Sequence, residues 1–457
     1  MNGWLALSPL FVFMGIYLVS CIIAQDFYKI PISAAFLLAS VYAVLICRGR
    51  SIEERISIFS KGAGNSNVLL MIWIFVLAGA FASTAKEIGA IDATVNLALR
   101  ILPGNLLYAG LFLAACFISM SIGTSVGTIV ALVPIAAGIA QQATAAGPAM
   151  STSFITAIIV GGAFFGDNLS FISDTTIAAT KTQGVELKDK FRVNFYIALP
   201  AAIITLIILL VVARPDAAAV MEARTFEIIK VLPYVLVLVL AIIGINVFLT
   251  LTIGILTAGV IGMVCGDLTI FTYAQAIWNG FTGMSEVFFL ALFCGGISEL
   301  IAHNGGIVWL IEKLRKMMHG EKSAQVGMAA MVSLADCATA NNTVAIILCG
   351  NVAKDVSREY KVDPRQMASL LDVFSCVFQG IIPYGAQLLM AASLTATTYN
   401  IAISPVEIVP YMWYCWILAA FGLLSVFTGY ANRTARTNPW NWEHDKAQSD
   451  VDKLQAQ

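Results

Sequence analysis

Long apolar runs alternate along the chain with short polar connectors. Mostly apolar stretches of about 18 or more residues recur at about 4–24, 30–47, 67–85, 191–213, 227–248, 284–302 and 406–430, the length at which a helix crosses a hydrocarbon core of roughly 30 Å. Four further regions are apolar but too long for one simple span, and each is broken by polar or small residues. Leu106 to Gln142 is interrupted at SIGTSVGT (Ser121 to Thr128), and Ser151 to Thr182 at FFGDNLSFISDTTIAAT (Phe164 to Thr180). Ala324 to Val356 is interrupted at DCATANNT (Asp336 to Thr343), and Leu370 to Thr398 at QGIIPYG (Gln379 to Gly385). A break exposes backbone groups that lipid cannot satisfy, so it is tolerated only inside protein or beside a wet cavity. Four such breaks predict one shared interior site.

The order of these features repeats. Cys47 to Leu102 can be laid beside Cys265 to Met317: an amphipathic connector ending in Gly, a span ending near Lys86-Glu87 or Ser298-Glu299, then a second amphipathic helix. In both halves a small-residue break (GTSVGT, TANNT) follows, then a second broken helix. This predicts an extra N-terminal helix at 1–29, a first repeat at 30–213, a linker with a linking transmembrane helix at 214–249, a second repeat at 250–430 and a polar cytoplasmic tail at 431–457.

Composition agrees with the pattern. The chain of 457 residues is 59% hydrophobic and 12% charged, with a mean hydropathy of +0.86, where a soluble domain has roughly a quarter of its residues charged. This is the composition of an integral membrane protein. The first run has neither the basic flank nor the cleavage site of a removable signal. A net charge of −1 argues against nucleic-acid binding. The nine cysteines show no CxxC pair and read as small packing residues without disulfides. His303, His319 and His444 read as solvated loop residues.

Lysine and arginine placement sets the orientation. With each GTSVGT-type region as a re-entrant hairpin and each following broken helix as a full crossing, ten spans and two hairpins result. One face then carries 20 of the 26 Lys and Arg residues, in segments 48–66, 181–192, 303–322, 354–365 and the tail. Lys190 falls among these loop cations. Both termini are then cytoplasmic in a bacterial-type inner membrane. The expected fold is an all-α polytopic membrane protein of two inverted-topology repeats, each with a re-entrant hairpin and a discontinuous helix, the arrangement of secondary transporters.

The break chemistry points to ions. An aspartate at mid-bilayer needs a partner or a cavity. Unwinding between Asp167 and Asp174 would free carbonyls beside two carboxylates, Asn168 and the hydroxyls of Ser170, Ser173, Thr175 and Thr176, a dense set of hard oxygens of the kind that hard cations choose. A carboxylate there could hold either a proton or sodium, and such competition yields exchange. Asp174 is the first choice for that role and Asp167 the second; the rival reading makes Asp174 the N-cap of the half-helix that follows. Asp372 and Asp336 are further candidates for cation or proton binding. A purely structural Asp372 would need an ion pair with a nearby cation such as Arg365. Asp336 has as its rival role a hydrogen bond that pins the second hairpin. Thr124, Ser125, Thr128, Thr339, Asn341, Asn342 and Thr343 lie at the hairpin tips and could bind a carboxylate substrate or ligate the cation. Gln379 and Tyr384 flank the last break as selectivity groups.

GTSVGT followed by GDNLSFISDTT resembles the paired signature of the NhaC family of sodium/proton antiporters, usually close to GTSxGT and GDxLSPLSDTT. In the second half, Asp372 with Ile381-Ile382-Pro383-Tyr384 is similar to the family's acidic residue and (I/L)IP(W/Y) break. Phe171 stands in place of the usual proline, and Gly385 where Asn is often found. The resemblance spans nearly the whole chain and implies a transporter fold more firmly than a substrate, since the family includes exchangers of organic acids. The expected function is exchange of sodium for protons, and the alternative is sodium- or proton-coupled transport of a small organic acid or amino acid. Transported sodium and protons act as coupling ions, and no cofactor is expected. Absence of HExxH and GxxxxGK[ST] motifs, with no histidine near the Ser and Asp residues of the breaks, argues against an enzyme or a nucleotide-driven pump. A homodimer is compatible with the sequence.

Overall fold

A computed structural model describes residues 2–24, 31–48, 51–101, 106–144, 151–171, 173–211, 227–243, 245–432 and 438–442. Most of the expected linker before 227 and of the tail after 432 therefore lies outside the described residues. Every regular element among those described is helical. The first half comprises α1 (Gly3–Ala24), α2 (Ile32–Ile46), α3 (Ile52–Ala63), α4 (Ser66–Glu87), α5 (Ala90–Ile101), α6 (Leu107–Ile122), α7 (Ser125–Thr144), α8 (Thr152–Leu169), α9 (Asp174–Gln183) and α10 (Leu187–Val211). The second comprises α11 (Leu232–Ile242), α12 (Val247–Cys265), α13 (Ile270–Gly283), α14 (Ser285–His303), α15 (Gly306–Arg315), α16 (Glu321–Thr339), α17 (Asn342–Tyr360), α18 (Pro364–Ile381), α19 (Ala386–Tyr399), α20 (Pro405–Ile408) and α21 (Trp413–Thr428).

Six helical segments are long and apolar enough to cross a membrane, or seven if the bent pair α20–α21 counts as one; shorter apolar helices include α2, α6 and much of α1, α7 and α11. Burial separates inner from outer segments. The broken segments 152–183 and 364–399 are 88% and 83% buried along their most apolar stretch, against 33% for 285–303 and 44% for 187–211 and 247–265. The two interrupted helices are thus the core, and the continuous ones form the outer wall.

Close helix approaches build that core. Gly162 and Gly166 on α8 face α6, where a Cβ on Gly166 would sit 2.1 Å from Ser119 Oγ and the Ser119 hydroxyl donates to Ala163 O at 2.5 Å. This is the small-xxx-small contact that lets membrane helices touch. Helix α3 packs on α14, and α13 on α4. At these two contacts Gly62 meets Gly295 and Gly79 meets Gly280, each glycine leaving no room for a Cβ beside the other's carbonyl.

Local chemistry sets the interruptions. Gly123 ends α6 in the left-handed region (φ 77°), and Ala340 ends α16 the same way (φ 49°). Ser170 and Ser173 are extended between α8 and α9. Ile382 is extended after α18, the conformation imposed on a residue before proline, here Pro383.

Two expected spans differ in extent. The linking helix expected over 227–248 is a 3-10 turn at Ile228–Val231 followed by α11, which stops at Ile242. Asn246 then caps α12, its side chain accepting from Phe248 N at 2.9 Å. The span expected over 406–430 bends by 54° between α20 and α21, next to Pro410, which has no N–H to continue the helical ladder.

Candidate functional site

The four interruptions meet at one cavity of about 780 Å³, counted with the solvent at its mouth. The α6–α7 turn brings Gly123, Thr124 and Ser125, and the α8–α9 break brings Asp167, Ser173, Asp174 and Thr175. The α16–α17 turn brings Asn341, Asn342 and Thr343, the α18–α19 break brings Gln379, Ala386 and Gln387, and Leu70, Met71 and Ile74 of α4 close one side.

Asp167 is 4% exposed, and its Oδ1 accepts from the backbone N–H of Ser125 at 2.9 Å. That N–H is the first of α7, one of the helix's unsatisfied donors, so the hairpin's positive end faces the carboxylate. Asp174 is exposed at the first position of α9, with Ser173 rather than Asp174 as N-cap and with no side-chain capping bond. It stands at the mouth, while Asp167 stands inside.

The carbonyls freed at the end of α8 are taken up by the protein's own donors. Asp167 O accepts from the hydroxyls of Thr175 and Thr176, each at 3.3 Å. Asn168 O accepts from Lys190 Nζ at 3.0 Å and from Asn194 Nδ2 at 2.9 Å. Ser173 and Thr175 share a hydrogen bond of 2.9 Å, and Ser170 is buried in the break. Two of the carbonyls expected to face a cation, those of Asp167 and Asn168, are therefore engaged by the protein's own donors.

Behind the cavity wall lies a second polar cluster. Asp372 is fully buried, and its Oδ2 receives Lys190 Nζ at 2.9 Å, Asn194 Nδ2 at 2.6 Å and Asn168 Nδ2 at 3.2 Å. Tyr414 OH donates to Asn168 Oδ1 at 2.9 Å, and Ser369 donates to Asn194 Oδ1. Among the described residues Asp372 Oδ1 has no hydrogen-bond partner. Two expectations change. The cation beside Asp372 is Lys190, since Arg365 is held by Asp363 at 2.6 Å; and Lys190 is a buried member of this cluster instead of a loop cation. Its long apolar stem lets the ammonium reach back from the start of α10 to the α8 terminus. Lys190 and Asn194 were legible only as polar residues four apart, hence on one face, at the start of a helix whose first turns also carry Lys188, Asp189 and Arg192.

The other expected site residues divide. Asn341 Oδ1 caps Val344 N at 3.0 Å and its Nδ2 meets Met71 Sδ at 3.5 Å. Asn342 reaches Cys376 Sγ at 4.0 Å. Thr128 is buried below the tip, bonded to Thr124 O at 3.2 Å. Thr339 and Tyr384 face a separate, mostly apolar cavity between α4 and α14. Tyr384 OH donates to Cys337 O at 2.7 Å, and its ring packs on Phe13 and Phe36, so it holds α16 to α1 and α2 and does not line the acidic cavity. Asp336 is fully buried in α16, within reach of Gln379. Gln387, which sequence reasoning missed, joins Gln379 to Ser125 (Nε2 of Gln379 to Oε1 of Gln387, 2.8 Å; Nε2 of Gln387 to Ser125 Oγ, 3.1 Å). Among the described residues no three of His, Cys, Asp and Glu converge as they would on a transition metal.

An all-helical membrane protein with interrupted helices meeting at an acidic cavity belongs among the ion-coupled carriers. The model of the Na+/H+ antiporter family matches residues 4–214 and 216–430, and the chain belongs to that family. It is 22% identical to the malate-2H(+)/Na(+)-lactate antiporter of Bacillus subtilis, with 93% of this chain and 95% of that protein covered. It is also 22% identical to the Na(+)/H(+) antiporter NhaC of Alkalihalophilus pseudofirmus, covering 92% and 93%, and 21% identical to NhaC of Bacillus subtilis, covering 93% and 97%. Among solved structures it is similar to the Alcanivorax borkumensis YdaH transporter, with a TM-score of 0.46 and 11% identity over 94% of this chain and 99% of that one. It is also similar to Neisseria gonorrhoeae MtrF, with a TM-score of 0.40 and 12% identity over 82% and 83%.

Proposed function

We propose that this chain is a secondary active transporter that exchanges sodium for protons, with Asp167 as the carboxylate the two ions share. The observation that carries this reading is the position of Asp167. It is the buried acid in the cavity where all four interruptions meet, and no basic side chain pairs with it among the described residues. Asp372 is neutralised by Lys190, whereas Asp167 needs a proton or a cation to offset its charge in a site shielded from water. Ser125 Oγ, Thr124 and Asn342 stand around the same cavity and are hard oxygen donors suited to an alkali cation. Asp174 serves as the entrance acid. The ion gradients drive exchange, so no cofactor and no catalytic step is required.

Two halves of opposite orientation, rocking around this site, would give alternating access. Reciprocal packing supports the two-repeat reading: α3 on α14 mirrors α13 on α4, and α9 on α17 mirrors α19 on α7. On that reading the α6–α7 and α16–α17 pairs are the re-entrant hairpins, and both termini are cytoplasmic in the cell membrane. Sodium-driven proton flux in proteoliposomes tests the proposal: Asp167→Asn abolishes it, and flux that persists unchanged in this variant refutes the assignment.

A second reading, exchange of a small organic acid together with the ions, is favoured by the cavity's size, larger than a single cation needs, and by the amides of Asn341, Asn342, Gln379 and Gln387 on its wall. Likeness to the malate-2H(+)/Na(+)-lactate antiporter points the same way. Counterflow with labelled hydroxy acids separates the two readings.

A further inference from the structure

The Lys190 ammonium is enclosed by oxygens of three chemical kinds. Its Nζ lies 2.9 Å from the Asp372 carboxylate, 3.0 Å from the Asn168 carbonyl and 2.6 Å from the Thr176 hydroxyl. Its three N–H groups thus meet three acceptors, which is all that an ammonium can serve. Asn168 O belongs to the last turn of α8, where carbonyls without a helical partner favour a positive charge. The Thr176 hydroxyl in turn donates to Asp167 O at 3.3 Å. Carboxylate, carbonyl and hydroxyl oxygens gathered at a helix break are the ligands that a hard cation takes; here the cation is part of the chain. One oxygen is left over. Among the described residues Asp372 Oδ1 has no hydrogen-bond partner, although the residue is fully buried, and a buried group in that state requires a reason. An ammonium stops at three acceptors, whereas a spherical metal ion takes as many oxygens as fit around it, both oxygens of one carboxylate included.

From this geometry we propose that Lys190 is a tethered cation, its ammonium filling a binding site for a monovalent alkali ion formed by Asp372, Asn168 O and Thr176. The inference goes beyond the reading of Asp167 as the exchanged acid and does not depend on it. The two enclosed acids then differ in what balances them: Asp372 holds a cation that cannot leave, and Asp167 one that can. The fixed charge keeps the α8 terminus neutralised throughout the cycle, so Asp372 adds nothing to the number of ions carried. Removing the lysine stem vacates the site. It also opens a way in, because the two residues before it lie at the surface, the side chains of Lys188 and Asp189 being 64% and 22% exposed.

Sodium and potassium binding to the purified full-length chain, counted by titration calorimetry in detergent, tests the proposal. Lys190→Ala should bind one ion more than its parent, both in the wild-type background and in Asp167→Asn. The gain is counted from each parent, so it does not depend on how many ions Asp167 holds. Lys190→Met should gain none, since its methyl ends one bond short of the Nζ position and leaves no room for an ion there. No gain for either ion in Lys190→Ala overturns the proposal. So does a gain confined to chains with Asp167 intact, because the added ion then sits in the acidic cavity, and so does an equal gain in Lys190→Met. If Lys190→Ala is too unstable to titrate, thermal unfolding decides, since an ion bound to the native state stabilises it. A midpoint that sodium or potassium raises over N-methylglucamine by more than in the parent supports the tethered cation. A midpoint no more ion-dependent than the parent's, or a chain unfolded in all three salts, overturns it.

Discussion

Lys190 Nζ lies 2.9 Å from Asp372 Oδ2, with neither side chain more than 1% exposed. The contact ties α10 to α18, and through Asn168 O it also ties both to the end of α8. A buried pair of this kind adds little over an apolar substitute, but removing one partner leaves an uncompensated charge that costs about 3–5 kcal/mol. Lys190→Met is therefore expected to lower stability by about that amount. The double variant Lys190→Met, Asp372→Asn should recover much of it. Thermal unfolding in detergent checks both, and a single variant as stable as the wild type would show that the pair is not ionised.

Ala340 sits in the left-handed region, where Gly123 stands at the end of the other hairpin's first arm. A non-glycine residue there carries about 1–2 kcal/mol of steric strain. Ala340→Gly should raise stability by up to about 1 kcal/mol, the extra freedom of glycine in the unfolded chain offsetting the rest. A melting temperature that falls would mean that the alanine methyl contributes more by packing than it costs in strain.

Gly166 is fixed by space instead of by torsion. A methyl there would press against both the side chain and the backbone of Ser119, so Gly166→Ala should destabilise by about 1–3 kcal/mol and disturb the terminus that carries Asp167. Gly15→Ala is the control, since nothing lies within 4 Å of its added Cβ. Equal melting temperatures for the two variants would contradict the close α6–α8 contact.

The positions of the breaks were legible in the sequence because local rules make them: a left-handed glycine at 123, a proline at 383, serines flanking 171 and an asparagine cap at 341. Their convergence was legible too, from what lipid cannot solvate. The partner of Asp372 was not. Counting cations by loop assigned Lys190 to solvent, whereas its place is set by a contact with a residue 182 positions away, which no local pattern encodes. Tyr384 misled for a related reason: a place in the turn between α18 and α19 says nothing about which way its ring points.

Tyr384 accordingly gives a sharp contrast between scaffold and selectivity. Its hydroxyl holds Cys337 O while its ring packs away from the acidic cavity, so Tyr384→Phe should cost about 1 kcal/mol of stability and leave ion preference unchanged. A shift in the ratio of sodium to lithium transport in this variant would return Tyr384 to the site.

Asp174 and Asp167 make the last distinction, because the same residue type seven positions apart is placed in two different dielectrics. Asp174 is exposed at the positive end of α9, on the cavity wall, where its charge raises the local concentration of cations at the mouth. Asp167 is enclosed, so its charge must be balanced by whatever ion occupies the cavity. Asp174→Asn should therefore raise the sodium concentration for half-maximal exchange several-fold, with the effect fading at high ionic strength and the maximal rate nearly kept. Asp167→Asn should abolish exchange at any sodium concentration. Flux assays across a sodium series at two ionic strengths separate the cases. If Asp174→Asn is the variant that abolishes exchange while Asp167→Asn only weakens it, the exposed acid is the one that carries the ion, and the enclosed one merely holds Ser125 in place.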